Sequence, residues 1–488
     1  MKHPFLSRAL CCGLAALVLI GLLIPLSRLC ARKDPVTKDS AFFDEGAEFD
    51  VLFFGNSHMM YGVQPMELWN SYGIISYNLA EHDSNPATSY WVMKNAVLYH
   101  RPKVVVLDLF KLNADAKTSR SFGNAQLAMD PWPLSLTKIQ AALDLTNDPV
   151  TDALIAEGRI TDAASRDPLS LLFNYSVYHS RWSILTAEDL APQLSHQKGA
   201  GILAGHDSPR LYDPIDESVV MAEETVSMDY VRRFVADCRE MGIEVLLTWL
   251  PYAATDSEQT YANTARVLAE ELDVPYINFL RMDIVDYTVD LYDNEAHLND
   301  IGARKVTAWL GAYLVSHYDL TDHRDDPAYA AWNEEYEAYT QERLSLLAEQ
   351  TELESMLTLA SDPRYDIALE LRDDDVLQDD DIRTLLCAFG LEEAALTPET
   401  DFVLIRGGAD AVAVSGLLTD GAAVEAGGLT LGFSGSDSAH SVSLNGSDLY
   451  YVSGVRKTGV TAVWIERETG SVIYVAQFSR QETGWTRR

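Results

Sequence analysis

The sequence predicts an α/β protein: a parallel β-sheet flanked by helices, carried behind an N-terminal membrane helix and followed by a smaller β-rich module. Three observations lead there. Short apolar runs alternate with amphipathic stretches of helical period between residues 50 and 317. An uncharged apolar run fills residues 9–26. Beyond residue 360 the chain changes to glycine-rich turns and short β-like runs.

Lys2 and Arg8 precede the uncharged run, and Arg28, Arg32 and Lys33 follow it. Its length is near the lower limit for crossing the hydrocarbon core of a bilayer. Ser27-Arg28-Leu29-Cys30 is too bulky for a small-x-small cleavage site and makes a poor lipobox. Residues 1–33 therefore read as an uncleaved, single-pass signal anchor in the cell membrane, with the short tail inside and the main domains extracytoplasmic.

After a polar connector, residues 50–54 read as a strand that stops at Gly55. Residues 89–99 read as a helix, and 103–110, with Val104-Val105-Val106-Leu107, as a buried parallel strand. The Pro, Ser and Asp content of residues 112–220 predicts loops and short helices inserted on the fold. The alternation returns with an amphipathic helix over 228–241, stopped by Gly242. A strand over 244–250, a helix over 261–272, a strand over 274–279 and a helix over 301–317 follow. The last carries Val306, Leu310 and Leu314 on one face. This α/β domain is drawn over 34–320. Residues 321–358 read as a helical linker whose Tyr329, Trp332, Tyr336 and Tyr339 form a packing stripe. Residues 359–488 read as the β-rich module, with strands over 402–405, 449–452, 461–465 and 472–478 and a helix over 382–389.

Composition narrows the function. Lys plus Arg number 37 and Asp plus Glu 73, a formal charge of −36. That argues against nucleic acid and against anionic lipid surfaces as partners. Of five cysteines, Cys11, Cys12 and Cys30 lie in or beside the apolar run. Cys238 shares a helical face with Val231, Phe234, Val235 and Met241 and reads as a buried thiol. No zinc spacing, Walker loop or dinucleotide glycine fingerprint occurs, so neither metal nor cofactor is expected. Asp373-Asp374-Asp375 and Asp379-Asp380-Asp381 do not follow the spacing of an EF-hand loop. The second triplet precedes a helix, where carboxylates satisfy free N–H groups.

The chemistry is read from two stretches. In Asp50-Val51-Leu52-Phe53-Phe54-Gly55-Asn56-Ser57-His58, a serine follows a buried strand by three residues. A strand that ends at a glycine lifts such a hydroxyl to the carboxyl edge of a sheet, which makes Ser57 the candidate nucleophile. A hydroxyl needs a neighbouring imidazole to take its proton and return it later. His297, in Asp293-Asn294-Glu295-Ala296-His297-Leu298-Asn299, is the candidate base, set against a role capping the helix near Ile301. Asp293 is the candidate to orient the ring, with Glu295 as its competitor; a residue four before can fold back on a turn. The N–H groups of Ser57 and of residues 80–85, with the Asn85 side chain, are candidate oxyanion donors. Asp83, Asn85 and His58 are the residues expected to line the pocket. Asp108, at a strand end, could face the crevice, but a strand-end aspartate more often caps a turn.

Gly55-Asn56-Ser57-His58 after a strand, with Asp293, His297-Leu298-Asn299 and Gly302 near the end of the α/β domain, resembles the SGNH/GDSL hydrolase superfamily. Tyr77-Asn78-Leu79, Ser89-Tyr90-Trp91-Val92 and Pro102-Lys103-Val104-Val105-Val106-Leu107-Asp108 agree with it. Within that superfamily the chain resembles membrane-anchored bacterial envelope members related to teichoic-acid D-alanylation and polysaccharide O-acetylation proteins. The resemblance covers roughly residues 45–320. It implies a flavodoxin-like three-layer α/β/α fold, a Ser57/His297/Asp293 site that handles esters, and a cell-envelope glycan or glycopolymer as acyl donor or acceptor, with a membrane-bound acyltransferase as a possible partner. The sequence departs from the family at three places. Asn294 stands where the acid is usual, no second-block glycine lies between Ala80 and Asn85, and no third-block asparagine lies near Asp108. Two functions follow as expectations: an extracytoplasmic O-acyl esterase or acyltransferase, and, as alternative, a non-catalytic envelope scaffold that binds glycan or a membrane acyltransferase.

Overall fold

The computed structural model describes residues 4–30, 37–118, 122–158, 166–173, 175–190, 195–293, 297–371, 375–397, 400, 402–407, 423–426, 429–436, 439–444, 446–453, 459–481 and 484–487. Packing divides the chain into two compact units. The first consists of Met1–Gly201, Tyr212–Met282 and Thr307–Tyr339, the second of Ile202–Leu211, Asp283–Val306 and Thr340–Arg488.

The first unit holds a parallel sheet of five strands: β1 (Val51–Phe54), β2 (Ser76–Asn78), β3 (Val104–Asp108), β4 (Glu244–Trp249) and β5 (Tyr276–Asn278). Their spatial order is β2-β1-β3-β4-β5, the flavodoxin-like doubly wound order. The expected α/β class is therefore what the chain adopts. Leu52 pairs with Tyr77 on one side and with Val105 on the other, and Val105 pairs with Val245. Both β1 and β3 are buried along their whole length, which is why they read as unbroken apolar runs.

The connecting helices lie on two faces of the sheet. On one face Pro86–Ala96 packs against Val226–Glu240, which meets Asp256–Leu272. The last begins five residues before the expected start, because Thr255 and Glu258 close a capping box. On the other face Pro65–Tyr72 meets Asp300–His317, where the Tyr72 hydroxyl donates to the Ala308 carbonyl at 2.8 Å. A Cβ at Gly311 would stand 2.3 Å from the Tyr72 ring, so a glycine is what lets these helices approach.

The N-terminal helix Pro4–Cys30 is long and apolar enough to cross a membrane over Leu10–Cys30. The region 112–220 carries short helices, among them Leu136–Thr146, Pro149–Ala156 and Pro168–Leu172, started by the side chains of Ser135, Asp148 and Asp167. Trp332 and Tyr339 of the aromatic stripe are buried; the Tyr339 hydroxyl donates to Glu67 at 3.0 Å and Lys198 Nζ lies 4.7 Å from the Trp332 ring. Cys238 is buried as expected, and burial pushes its thiol up to about 12.

The second unit is β-rich. Strands β6 (Tyr365–Leu371), β7 (Phe402–Arg406), β8 (Ala423–Ala426), β9 (Leu429–Ser436), β10 (Ala439–Leu444), β11 (Ser447–Ser453), β12 (Val460–Glu466), β13 (Val472–Gln481) and β14 (Gly484–Arg487) form two antiparallel sheets. Their orders are β14-β13-β12-β6-β7 and β11-β10-β9-β8. β6 lies inside its sheet and was not among the expected strands, because Ala368-Leu369-Glu370-Leu371 is composed of helix formers. Its Ile367, Leu369 and Leu371 join the core, and the helix Asp380–Ala388 adds Ile382, Leu385 and Leu386. Asp300 and Asp362 are buried among arginines. Arg343 lies 2.6 Å from Asp300 and 3.2 Å from Asp362, and Arg304 lies 3.2 Å from each. Burial would raise the Asp362 carboxyl, but Arg304, Arg364 and Arg343 outweigh it and hold the group well below the usual range.

Candidate active site

Ser57 stands where the doubly wound order turns around. β1 is flanked by β2 and β3, reached by connections that run in opposite directions, and the carboxyl ends of a parallel sheet share one edge. β1 runs out at Gly55, whose φ of +146° is a conformation that favours glycine. A Cβ there would also lie 3.0 Å from the Asp108 Cβ and 3.2 Å from the Met59 Cβ. Asn56 then caps the helix Ser57–Gly62 by accepting from the His58 N–H at 2.9 Å. Ser57 is thus the first residue of that helix, one step beyond the cap. Asn78, at the end of β2, holds the same helix by donating to the Met59 and Val63 carbonyls at 2.8 and 3.0 Å.

The neighbouring strand ends are tied in. The Glu81 N–H donates to the Gly55 carbonyl at 3.1 Å. Asp108 is buried and caps turns as expected, accepting from the Leu250 N–H at 2.9 Å and the Phe110 N–H at 3.3 Å. Burial pushes its carboxyl up to about 7, against those same donors.

The expected pocket residues take definite roles. His58 is buried, stacked on Phe110 at 3.8 Å and edge-on to Tyr252 at 4.8 Å. Asp83 adopts φ +51° and pairs with Lys111, while Asn124 Nδ2 donates to it at 3.3 Å. The Asn85 side chain is engaged within the protein: it accepts from the Thr88 N–H at 3.1 Å, capping Pro86–Ala96, and donates to the Ala116 carbonyl at 2.8 Å. Among the candidate oxyanion donors, the N–H groups of Ala80, Glu81 and Ser84 are bonded to Asn78 Oδ1, Gly55 O and Glu81 O.

The imidazole belongs to the second unit. A bridge between Leu291 and Leu298 pinches a short loop, and the Tyr292 N–H donates to the His297 carbonyl at 2.8 Å. Within it, Asp293 Oδ2 lies 2.6 Å from His297 Nδ1, and Asp293 Oδ1 accepts from the His297 N–H at 3.1 Å. One carboxylate therefore fixes both the backbone and the ring of His297. A carboxylate at Nδ1 favours the tautomer with its proton there, which makes Nε2 the basic nitrogen. Glu295, the competing acid, lies with Asn294 and Ala296 outside the described residues.

Asn299 caps the following helix, accepting from the Ile301 and Gly302 N–H groups at 3.1 and 3.2 Å. Its amide donates to the Gly205 and Val289 carbonyls at 3.0 and 2.7 Å. Behind the loop, buried Asp290 pairs with Lys305 at 2.7 Å. A Cβ at Gly302 would stand 2.6 Å from the Asp290 carbonyl oxygen, so the loop lies directly on the helix.

Sequence reasoning missed Lys111, Asn299 and the Asp290–Lys305 pair. Asn299 carried a signal, an asparagine directly before a helical pattern; the other pairings depend on contacts between segments that no spacing reveals. One further acidic group stands apart: carboxylate oxygens of Glu354, Asp379 and Asp381 lie within 4.8 Å of one another. Asp379 also caps the helix Asp380–Ala388 as the sequence suggested.

No protein-family model matches the chain, and no curated protein matches it. Among solved structures, an acylhydrolase candidate from Bacteroides fragilis aligns with 59% of this chain and 98% of its own, at 10% identity and a TM-score of 0.29. A GDSL-like lipase from Bacteroides thetaiotaomicron aligns with 59% of this chain and 100% of its own, also at 10% identity and 0.29. Likenesses this distant carry no argument about chemistry, which rests on the residues themselves.

Proposed function

We propose that this protein is a single-pass, extracytoplasmic, serine-dependent O-acyl esterase or acyltransferase acting on a cell-envelope glycan or glycopolymer. The observation that carries the reading is the 2.6 Å contact of Asp293 with His297 Nδ1, the arrangement that prepares an imidazole to accept a proton. The placement of Ser57 beyond β1 and the resemblance of the two stretches to SGNH/GDSL enzymes support it.

In this mechanism Ser57 Oγ attacks the carbonyl carbon of an acyl ester while His297 Nε2 takes the hydroxyl proton. Asp293 stabilises the imidazolium. The tetrahedral adduct collapses, the C–O bond to the sugar breaks, and the imidazolium returns its proton to the leaving alkoxide. Water or a second sugar hydroxyl then attacks acyl-Ser57, delivering its proton to His297; this second adduct collapses, the bond from the acyl carbon to Ser57 Oγ breaks, and the imidazolium returns its proton to Ser57. Water as acceptor makes an esterase, a sugar an acyltransferase. The mechanism requires His297 Nε2 to reach Ser57 Oγ.

A second reading, a non-catalytic scaffold that binds glycan or a membrane acyltransferase, draws support from the engagement of Ala80, Glu81, Ser84 and Asn85 within the protein. The two separate by assaying purified Ser57→Ala and His297→Ala proteins on a chromogenic acetyl ester, and by measuring envelope O-acetyl and D-alanyl content in cells that carry each. Loss in both variants supports the enzyme. Unchanged turnover and unchanged content in both leaves the scaffold.

A further inference from the structure

We propose that the inserted helices between residues 134 and 190 form an apolar surface that lies on the bilayer around the foot of the anchor helix. This goes beyond the proposed chemistry and rests on reading Leu10–Cys30 as membrane-crossing.

The anchor is bare along most of its length, with Leu10, Leu17 and Leu22 exposed, but Ser27 and Cys30 in its last turn are buried. That turn is gripped by the insertion. The Tyr175 N–H donates to Ser27 Oγ at 3.2 Å, and Arg181 Nη1 donates to the Cys30 carbonyl at 3.2 Å. Where a spanning helix passes from bare to covered, the bilayer surface must lie. The elements touching the anchor there are Tyr175–Tyr178, the 3-10 turn His179–Ser183 and Ala187–Leu190. Pro168–Leu172 packs on the first of these, and Leu136–Thr146 packs on Pro168–Leu172.

These elements turn apolar side chains outward. Leu136 is 70% exposed, Trp182 71% and Leu190 76%. The helix Leu136–Thr146 buries Ala141, Ala142 and Leu145, yet also exposes Leu136, Ile139 and Leu143 at helical spacing. A helix facing water carries polar groups on that second stripe. Among the described residues, nine of the eighteen exposed large apolar side chains outside the anchor helix lie between Leu134 and Leu190, a concentration that marks an interaction surface. Its position at the anchor's foot selects lipid as the occupant, and Trp182 suits the headgroup level. Lys117 pairs with Asp144 at 2.7 Å, Arg181 pairs with Asp189 at 2.6 Å, and Lys138 is buried against the Trp132 carbonyl at 3.0 Å. With these cations committed inside the protein, the insertion's own contribution to adhesion is apolar rather than electrostatic.

The test uses the full chain in phosphatidylcholine vesicles, with p-benzoylphenylalanine at position 143, 182 or 190. Position 17 on the anchor and position 267, an exposed valine on Asp256–Leu272, serve as references. Illumination is expected to yield lipid adducts at 143, 182 and 190 several-fold above position 267, with no rise when phosphatidylglycerol is added. Adducts at 17 but only reference-level yields at the three insertion positions overturn the surface and leave the anchor standing. A lack of adducts at 17 as well overturns both. A several-fold rise with phosphatidylglycerol, or crosslinks to another protein instead of lipid in native membranes, also overturns the proposal.

Discussion

Around Ser57 the holding forces are mainly those of the backbone and buried strands: a fully buried β1, a glycine at φ +146°, and a helix capped one residue earlier. Around His297 they are side-chain forces: the Asp293 carboxylate, the Asn299 cap and the Asp290–Lys305 pair. The first arrangement ties the position of Ser57 to the integrity of the sheet. The second lets the imidazole be tuned through the partly exposed Asp293 at little cost to the fold, while buried Asn299 and Asp290 hold the loop. Substitutions in the two regions should therefore fail differently.

The largest contrast comes from Asp293→Asn. On the proposed mechanism, turnover of an acetyl ester falls by about 10^4-fold, as when a triad acid is replaced by its amide. The unfolding midpoint should stay close to wild type, because Asp293 is partly exposed. A large drop in stability with modest loss of turnover would make the carboxylate structural and break the comparison.

On the Ser57 side, Asp108 gives a pH signature. Its carboxyl sits at about 7 in the folded protein and near 3.8 otherwise, so the folded state binds the extra proton between those values. Stability from this group is present below about pH 4 and is lost as pH rises towards 7, by on the order of 4 kcal/mol. Denaturant unfolding of wild type and Asp108→Asn across that window should show wild type losing ground to the variant. Parallel pH profiles would contradict the burial account.

A smaller effect is expected from Gly55→Ala, roughly 2–3 kcal/mol of lost stability from forcing a side chain into that backbone conformation beside Asp108. Turnover should fall with it, since Ser57 rides on the same turn. Stability and turnover are thus linked at Gly55 and unlinked at Asp293, which thermal melts and ester assays on the two variants can check together.

How much of this was legible follows from the same contrast. β1 and β3 announce themselves because strands buried on both faces are continuous apolar runs. The Asp293–His297 contact was also within reach, because a residue four before can fold back within one loop. What escaped depends on register between distant segments. Lys111 meets Asp83 only because loops after β2 and β3 adjoin, and Asn85 reads as a free donor until Pro86–Ala96 needs its cap. β6 hides because its alternation is written in alanine, leucine and glutamate. The packing of the His297 loop with Ile202–Leu211 and the C-terminal strands has no signature along the chain.

The central claim is that His297 activates Ser57, and covalent trapping tests it most directly. Full-length protein is treated with a fluorophosphonate, digested, and the labelled peptide sequenced by mass spectrometry. The account predicts one dominant adduct on Ser57, formed rapidly in wild type and suppressed in His297→Ala. An unlabelled Ser57, or labelling at the same rate without the imidazole, would contradict it.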